Sequence, residues 1–361
     1  MRVLGLAKYG TRAASTRQRL LQYAPHLARH GVELEIRPLL DDDYVARLAR
    51  GEPQRRGDVA RGYARRLADL FAARRFDVLW VQYEAFPYLP GIAERALGLT
   101  GTPIVYDIDD AIFHMYDQHR VPLVRRVLGN KLAPLLRQAS ACLCGNAYLQ
   151  AYVGQYCSNS LIVPTVVDTD AYQPSWRISP DAPPRATPVV GWIGSPSTWG
   201  YVEPMLPVLL PVLARHGATL RVVGAGPRAR GIAGIEAIEW AEDREISDIQ
   251  AMDIGIMPLP DEPWARGKCG YKLIQYMACG LPVIASPVGV NAQIVSHGVD
   301  GFLATDTAGW AQALERLLTD PALRHDFGRH AHEVAEQRYS LRSQQDRVLS
   351  VLRAAAGKRP S

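Results

Sequence analysis

The sequence is short of the features that would mark a secreted, membrane-spanning or nucleic-acid-binding chain. Its five cysteines (Cys142, Cys144, Cys157, Cys269, Cys279) show neither paired Cys-x-x-Cys spacing nor the density of a disulfide scaffold, so reduced, buried thiols are expected. No window approaches the roughly 18 uninterrupted apolar residues of a membrane-spanning helix. The opening MRVLGLAKYGTRAAS has too short an apolar run for a secretory signal and reads as a first strand. There is no nucleic-acid module and no basic stripe interleaved with aromatics, so a nucleic-acid partner is not expected. The turn Gly224-Ala225-Gly226-Pro227 lacks the full GxGxxG spacing, which leaves a dinucleotide reading weak.

What is present is a globular chain of two-domain size. It has 361 residues, 48% of them hydrophobic and 21% charged. The net charge of +5 is unevenly placed. Residues 1–180 carry 23 Lys and Arg against 17 Asp and Glu, whereas residues 181–361 carry 18 against 19. The basic half suits an acidic partner such as anionic lipid or a lipid-linked diphosphate.

Taken in order, Val3 to Ala7 reads as a strand, Lys8-Tyr9-Gly10-Thr11 as a glycine loop, and Ser15 to about His30 as an amphipathic helix. Val32 to Ile36 is a second strand, and this opening is Rossmann-type. Basic residues at 17 and 19 oppose the helix dipole and suggest a ligand-facing role. Residues 41–75 read as helix broken at Gly51-Glu52-Pro53. Val78 to Val81 and Ile104 to Tyr106 are core strands, and the second runs into Asp107-Ile108-Asp109-Asp110. Carboxylates at a strand end lie where open α/β sheets place their ligands; a helix cap explains at most one, and a metal-binding DxD is the competing reading. His114 lies close enough to reach the same region, although an isolated histidine is more often structural. Cys142 to Cys144 is a strand and Asn146 a helix cap. Five prolines between 174 and 188 mark a linker. Val189 to Gly194 opens a second domain, followed by the loop Ser195-Pro196-Ser197-Thr198-Trp199-Gly200.

The most informative stretch is Trp264 to Ala304. Gly267 and Gly270 bracket the start of a helix, and Gly280 with Pro282 stops it. Lys268, Lys272 and Gln275 are spaced to share one face, with Tyr271, Ile274 and Ala278 on the apolar face. Pro282 to Ala285 suits a strand buried on both sides. Two lysines and an amide beginning at a glycine-rich helix N-terminus are suited to holding a diphosphate, with Arg266 beside them; a plain solvated face is the bland alternative.

Lys272, Gln275-Tyr276-Met277-Ala278, Gly280, Pro282-Val283, Ser286, Val288-Gly289 and Gly301-Phe302 form an ordered pattern that resembles the donor-binding segment of the retaining glycosyltransferases of family 4. The residues Leu161 to Asp168 resemble that family's strand and turn before the interdomain crossing, with Thr165 and Val166 in the places of the usual Asn and Gly. The resemblance implies an α/β protein of the GT-B fold, with two Rossmann-like domains facing across a cleft and a C-terminal helix crossing back to the first. The implied boundaries are 1–173 with a returning helix 340–361, a linker 174–188, and a donor domain 189–339. It further implies transfer of a sugar from a nucleoside-diphosphate donor to an acceptor hydroxyl with retention, in cell-surface polysaccharide, lipopolysaccharide or glycolipid synthesis. The cytoplasmic face of a membrane would be the place, and no cofactor or obligatory metal is expected. Catalysis falls to Asp109, Asp110 and Lys272. Donor binding falls to Gly10, Gly194, Ser195, Ser197, Thr198, Arg266, Lys268, Lys272 and Gln275, with Gln275 on the ribose hydroxyls.

Three departures qualify that reading. Gly267 and Gln275 stand where the family has two glutamates. Ser195 and Trp199 stand where it commonly has Arg and Lys. Its cleft histidine is missing where Asp109-Asp110 stand. Loss of both glutamates motivates the alternative of a non-catalytic nucleotide-sugar-binding or assembly protein; an epimerase of the same fold is a third reading that nothing in the sequence favours.

Overall fold

The computed structural model describes residues 1–178, 185 and 187–357. Part of the proline-rich linker expected over 174–188, at 179–184 and 186, lies outside the described residues, as does the end of the last expected helix, at 358–361. The chain divides into two compact units. One comprises Met1–Thr165, Gly267–Cys269 and the residues from Gln344 onward; the other comprises Val166–Arg266 and Gly270–Ser343.

Each unit is built on one six-stranded parallel sheet. In the first unit the strands are β1 (Arg2–Tyr9), β2 (Glu33–Leu40), β3 (Val78–Gln82), β4 (Ile104–Ile108), β5 (Ala139–Cys144) and β6 (Ser160–Ile162), in spatial order β2-β1-β3-β4-β5-β6. Every residue of β3 and β4 is buried, because helices cover both faces and an unbroken apolar run is the solution for such a strand. The strand order reverses between β1 and β3, so the crevice outside their carboxyl ends is the place for a ligand.

The second unit holds β7 (Val189–Ile193), β8 (Thr219–Val223), β9 (Ile235–Ile238), β10 (Ile254–Met257), β11 (Val283–Ala285) and β12 (Gly301–Leu303), in order β12-β11-β10-β7-β8-β9. Its reversal lies between β7 and β10. The helix Tyr271–Ala278 is buried from Leu273 to Ala278. It ends where Gly280 turns left-handed at φ +72° and Leu281 N–H returns to the Tyr276 carbonyl. The helix Pro321–Arg338 crosses it so closely that a Cβ on Gly328 would meet the Gly280 carbonyl.

One sequence expectation changes here, in the first long helix. The helix expected from Ser15 to His30 is divided into Ala14–Arg19, a 3₁₀ turn at Leu21–Tyr23, and Ala24–Arg29. Pro25 has no N–H to continue an α-helical ladder and instead begins the last piece. The helix Leu341–Ala356 starts in the second unit, but from Gln344 its residues belong to the first. There Asp346 meets His26 Nε2 at 3.0 Å and Arg353 donates to the His30 carbonyl at 2.9 Å.

Candidate functional site

In the second unit five of the residues expected to bind the donor gather at the carboxyl end of β7. Gly194 follows the strand, and a Cβ there would lie 2.4 Å from the Trp192 ring and 2.8 Å from Lys272 Cε. Only glycine lets the lysine stem lie across this point. Lys272 Nζ is 5.7 Å from the centre of the Trp192 ring, within cation–π range. Ser195 caps the short turn Pro196–Trp199, its hydroxyl 2.9 Å from that of Ser197, while Thr198 Oγ1 accepts from Ser195 N–H at 3.2 Å. Ser195 and Ser197 are exposed. The structure therefore brings Gly194, Ser195, Ser197, Thr198 and Lys272 together at a strand end beside the topological reversal, where a diphosphate would find hydroxyls and an ammonium.

Four of the expected donor residues are placed otherwise. Lys268 does not share a helical face with Lys272. The helix begins at Tyr271 because Gly270, its N-cap, is left-handed at φ +67°. Lys268 belongs to the first unit, where its Nζ lies 3.5 Å from Asp110 Oδ2. Gln275 is 2% exposed, and its Nε2 donates to Tyr172 Oη at 3.1 Å and Glu245 Oε1 at 2.9 Å. Tyr172 Oη donates to the same oxygen at 2.5 Å and Trp240 Nε1 to Glu245 Oε2 at 2.6 Å. The amide thus supports a carboxylate that is itself only half-buried, instead of pointing freely at a ribose. Arg266 makes a bidentate pair with Asp261, at 2.6 and 3.0 Å, on the surface. At Gly10 a Cβ would meet Asp42 Oδ1 at 2.3 Å, and Asp42 accepts from Arg12 N–H and Thr11 Oγ1. This loop is closed by a carboxylate, and its glycine permits that close approach.

In the first unit the three carboxylates of 107–110 separate into three roles. Asp107, within β4, is 1% exposed and receives Arg19 Nε at 2.7 Å and Trp80 Nε1 at 3.2 Å. Arg19, also 1% exposed, donates as well to the Val163 carbonyl. Burial lowers the guanidinium pKa, but Asp107 and Asp109 together outweigh it and keep the group protonated. The ligand-facing role expected of Arg19 is therefore replaced by a buried ion pair. Asp110 accepts from Ala111 N–H at 3.0 Å and faces Lys268.

Asp109 is the unusual one. Its Oδ1 is sealed from solvent with no hydrogen-bond partner among the described residues. Burial raises its pKa to about 6, against the opposing pull of Arg19 and a hydrogen bond from Tyr83. Tyr83 sits just past β3 at φ +62°, a conformation costing a bulky residue of order 1–3 kcal/mol. Strain plus an under-satisfied carboxylate at the adjoining carboxyl ends of β3 and β4, next to the β1/β3 reversal, is the pattern of a functional position. Sequence reasoning placed Asp109 but missed Tyr83, which carries no motif.

The carboxyl's raised pKa has a stability consequence. Protonated Asp109 suits the fold, so its contribution is fully present below the ordinary aspartate value and is lost as pH rises through about 6. Asp109→Asn should therefore be more stable than the parent at neutral pH by about 1–3 kcal/mol, with the difference gone near pH 4. Urea denaturation at the two pH values checks this; equal stabilities at neutral pH would refute it.

His114 is engaged at both ring nitrogens, by Asp117 Oδ1 at 2.9 Å and Tyr148 Oη at 2.8 Å, and reads as structural. Beneath the same strand ends lies a buried charge network that the sequence did not announce. Glu84 is fully buried between Lys8 Nζ at 3.0 Å and Lys131 Nζ at 2.5 Å, with Tyr116 Oη donating at 2.8 Å. Lys131 also reaches the Phe86 carbonyl and Glu94. Burial raises the Glu84 carboxyl, but the two lysines outweigh it and leave it below the ordinary value. All five cysteines are free and buried.

Comparison with known proteins places this geometry. Residues 187–320 match the family model for glycosyl transferases group 1. A D-inositol 3-phosphate glycosyltransferase of Pseudarthrobacter chlorophenolicus is 38% identical over 84 residues, 23% of this chain and 19% of that protein. The N-acetyl-alpha-D-glucosaminyl L-malate synthase of Bacillus anthracis is 28% identical over 148 residues, 38% of each chain. The matched stretches thus span well under half the length of these relatives. Among solved structures, Anabaena Alr3699/HepE in complex with UDP-glucose superposes with a TM-score of 0.70 over 98% of this chain and 100% of its own, at 18% identity.

Proposed function

We propose that this chain, which has the GT-B fold and a glycosyl transferases group 1 domain over residues 187–320, transfers a sugar from a nucleoside-diphosphate donor to an acceptor hydroxyl. The observation that carries the reading is Lys272 laid over Gly194 and Trp192 at the end of β7, inside the matched domain. Departure of a nucleoside diphosphate develops negative charge on the β-phosphate. A fixed ammonium and nearby hydroxyls stabilise that charge with little reorganisation. Ser195, Ser197 and Thr198 would orient the phosphates, with no obligatory metal ion.

The sugar is transferred with retention, by attack from the face the diphosphate leaves, and the departing phosphate oxygen takes the acceptor proton. On the acceptor side, Asp109 above its pKa of about 6 is a carboxylate that can accept a hydrogen bond from the attacking hydroxyl. Lys268 held by Asp110 supplies a cation close by in the same unit. In place of the ribose contact expected of Gln275, Glu245 is the carboxylate offered beside it, fixed by three donors. A saccharide or lipid-linked acceptor fits the expected place in cell-surface glycan synthesis.

UDP-glucose is the first donor to test, because the Anabaena protein was solved with it. Purified chain should release UDP from it, or from another nucleotide sugar, at a rate that an added acceptor raises and a chelator leaves unchanged. Binding without any turnover across UDP-, GDP- and ADP-sugars would instead favour a non-catalytic binding protein, and an isomerised donor an epimerase.

A further inference from the structure

Residues 267–269 belong to the first unit, although the chain on either side of them, up to Arg266 and from Gly270, belongs to the second. They lie outside every helix and strand, so side chains and close packing must hold them in the first unit.

One side chain carries most of that task. Asn146, two residues past β5 and 3% exposed, donates from Nδ2 to the Gly267 carbonyl at 3.0 Å and the Lys268 carbonyl at 3.1 Å, with Cys269 Sγ at 3.5 Å. Its Oδ1 accepts from Leu149 N–H at 2.9 Å and caps the helix Ala147–Gly154. A backbone donor on one side and two carbonyls on the other fix which end of the amide is which. Asparagine, aspartate and serine cap helices about equally well. The cap alone therefore does not call for an amide; the carbonyls of residues 267 and 268 do.

Packing at the same place is close. A Cβ on Gly145 would lie 2.2 Å from Cys269 Sγ and 3.2 Å from Asp109 Cα, and one on Gly267 would lie 2.3 Å from Ala111 Cβ. Both sides are bare of side chains where they meet. Cys269, 7% exposed, fills the space beside Asp109 and belongs to the same buried cluster as Ile108 and Ala111. Burial, and after it the nearby Asp109, raise the thiol well above its ordinary value, so the seated Cys269 is protonated and unreactive. Next to it Lys268 Nζ stands 3.5 Å from Asp110 Oδ2.

We propose that Asn146 is a positioning residue for sugar transfer: its amide seats residues 267–269 on the acidic end of β4, which sets the Lys268 ammonium against Asp110 and the Cys269 thiol over Asp109. The inference rests on the functional reading above, in which the Asp109 carboxylate meets the attacking hydroxyl and Lys268 supplies the cation beside it. Asn146 itself touches neither substrate. Without its amide the two carbonyls lose their donor and turn to water, so the segment leaves its seat more often and takes Lys268 with it.

Two variants separate this role from capping. Asn146→Ser and Asn146→Asp both keep an oxygen for Leu149 N–H. The carboxylate has no proton to donate at neutral pH, and serine has one donor on a shorter stem, so neither replaces the amide at the two carbonyls. Alkylation of the full chain by iodoacetamide, with the modified cysteines located by peptide mass mapping, reads whether the segment is seated. Two such hydrogen bonds are worth roughly tenfold to a hundredfold in the seated population, so Cys269 should react at least tenfold faster in both variants. Cys142 in the first unit and Cys279 in the second, both fully or almost fully buried, should react as slowly as in the parent. UDP-glucose, or whichever of the UDP-, GDP- and ADP-sugars the parent turns over, is then used without added acceptor. For release of the nucleoside diphosphate, kcat should fall at least tenfold with KM for the donor within twofold, because Lys272, Ser195 and Thr198 are untouched. Equal acceleration of all three thiols would reduce Asn146 to a helix cap and overturn the proposal. An unchanged Cys269 rate in both variants would overturn it as well, as would full turnover with Cys269 exposed. If the parent turns over no nucleotide sugar, the functional reading fails by itself, while alkylation still decides whether Asn146 seats the segment.

Discussion

Lys272→Met should reduce turnover of the nucleoside-diphosphate sugar by about 10²–10³-fold, the scale on which loss of one preorganised charge-stabilising group acts. Methionine keeps the stem that packs over Gly194 and beside Trp192, so the substitution removes the charge and little of the volume. If the ammonium acts mainly as the diphosphate departs, kcat falls with kcat/KM; if it acts equally on bound donor, KM alone rises. Single-turnover rates of UDP release distinguish these. A variant that turns over donor like the parent would remove Lys272 from the reaction, whichever donor is used. A thermal shift with UDP supplies the accompanying binding measurement, since a ligand at 100 times its dissociation constant stabilises by about 2.7 kcal/mol.

The largest expected change in stability is at Lys131. Its ammonium is fully buried between Glu84, Glu94 and the Phe86 carbonyl. Lys131→Met would leave Glu94 buried without a cation and Glu84 with Lys8 alone. Removing one partner of a buried ion network typically costs about 3–5 kcal/mol, because the remaining charge keeps its desolvation penalty. Glu94 already sits above the ordinary carboxyl range, since burial outweighs Lys131 and the amides of Phe86 and Ala85. Neutralising it as well, in Lys131→Met with Glu94→Gln, should therefore recover a good part of the loss. The amide oxygen can still accept one of the two backbone N–H groups that Glu94 now holds. Urea unfolding followed for the first unit, for example by the fluorescence of buried Trp80, gives both numbers. A single variant as stable as the parent would show that the network contributes nothing net.

The same two sites illustrate what can be read along a chain. The Gly280 helix stop, the strand at Val283, and the cap at Asn146 depend on residues within a few positions of one another, and the structure has each of them. Rossmann-type alternation in the opening eighty residues was legible for the same reason. The division of the first long helix was legible too, had Pro25 been weighed as a helix start. The buried network was not. Lys8, Glu84, Glu94 and Lys131 are up to 123 positions apart, and Lys131 and Tyr116 lie among short helices between Asp110 and Cys142 that carry no motif.

Periodicity also misled where a single residue changed the backbone. Lys268, Lys272 and Gln275 share a face only if the helix runs through all three, and left-handed Gly270 separates the first from the others. Gln275 was correctly placed on the helix but not in its surroundings, because Tyr172 and Glu245 come from other parts of the chain.

By itself, then, the sequence determined the parallel α/β architecture, the glycine-bounded helix around Lys272 and the acidic end of β4, all consequences of local conformational preference and of the period at which apolar residues recur. The tertiary structure alone decided which of those polar groups are available. It paired Asp107 with Arg19, Asp110 with Lys268 and Gln275 with Glu245, and left Asp109 with one oxygen unbonded among the described residues. A charged group's state is set by its burial and by the charges within a few ångströms, and folding brings those together from positions that no spacing rule connects.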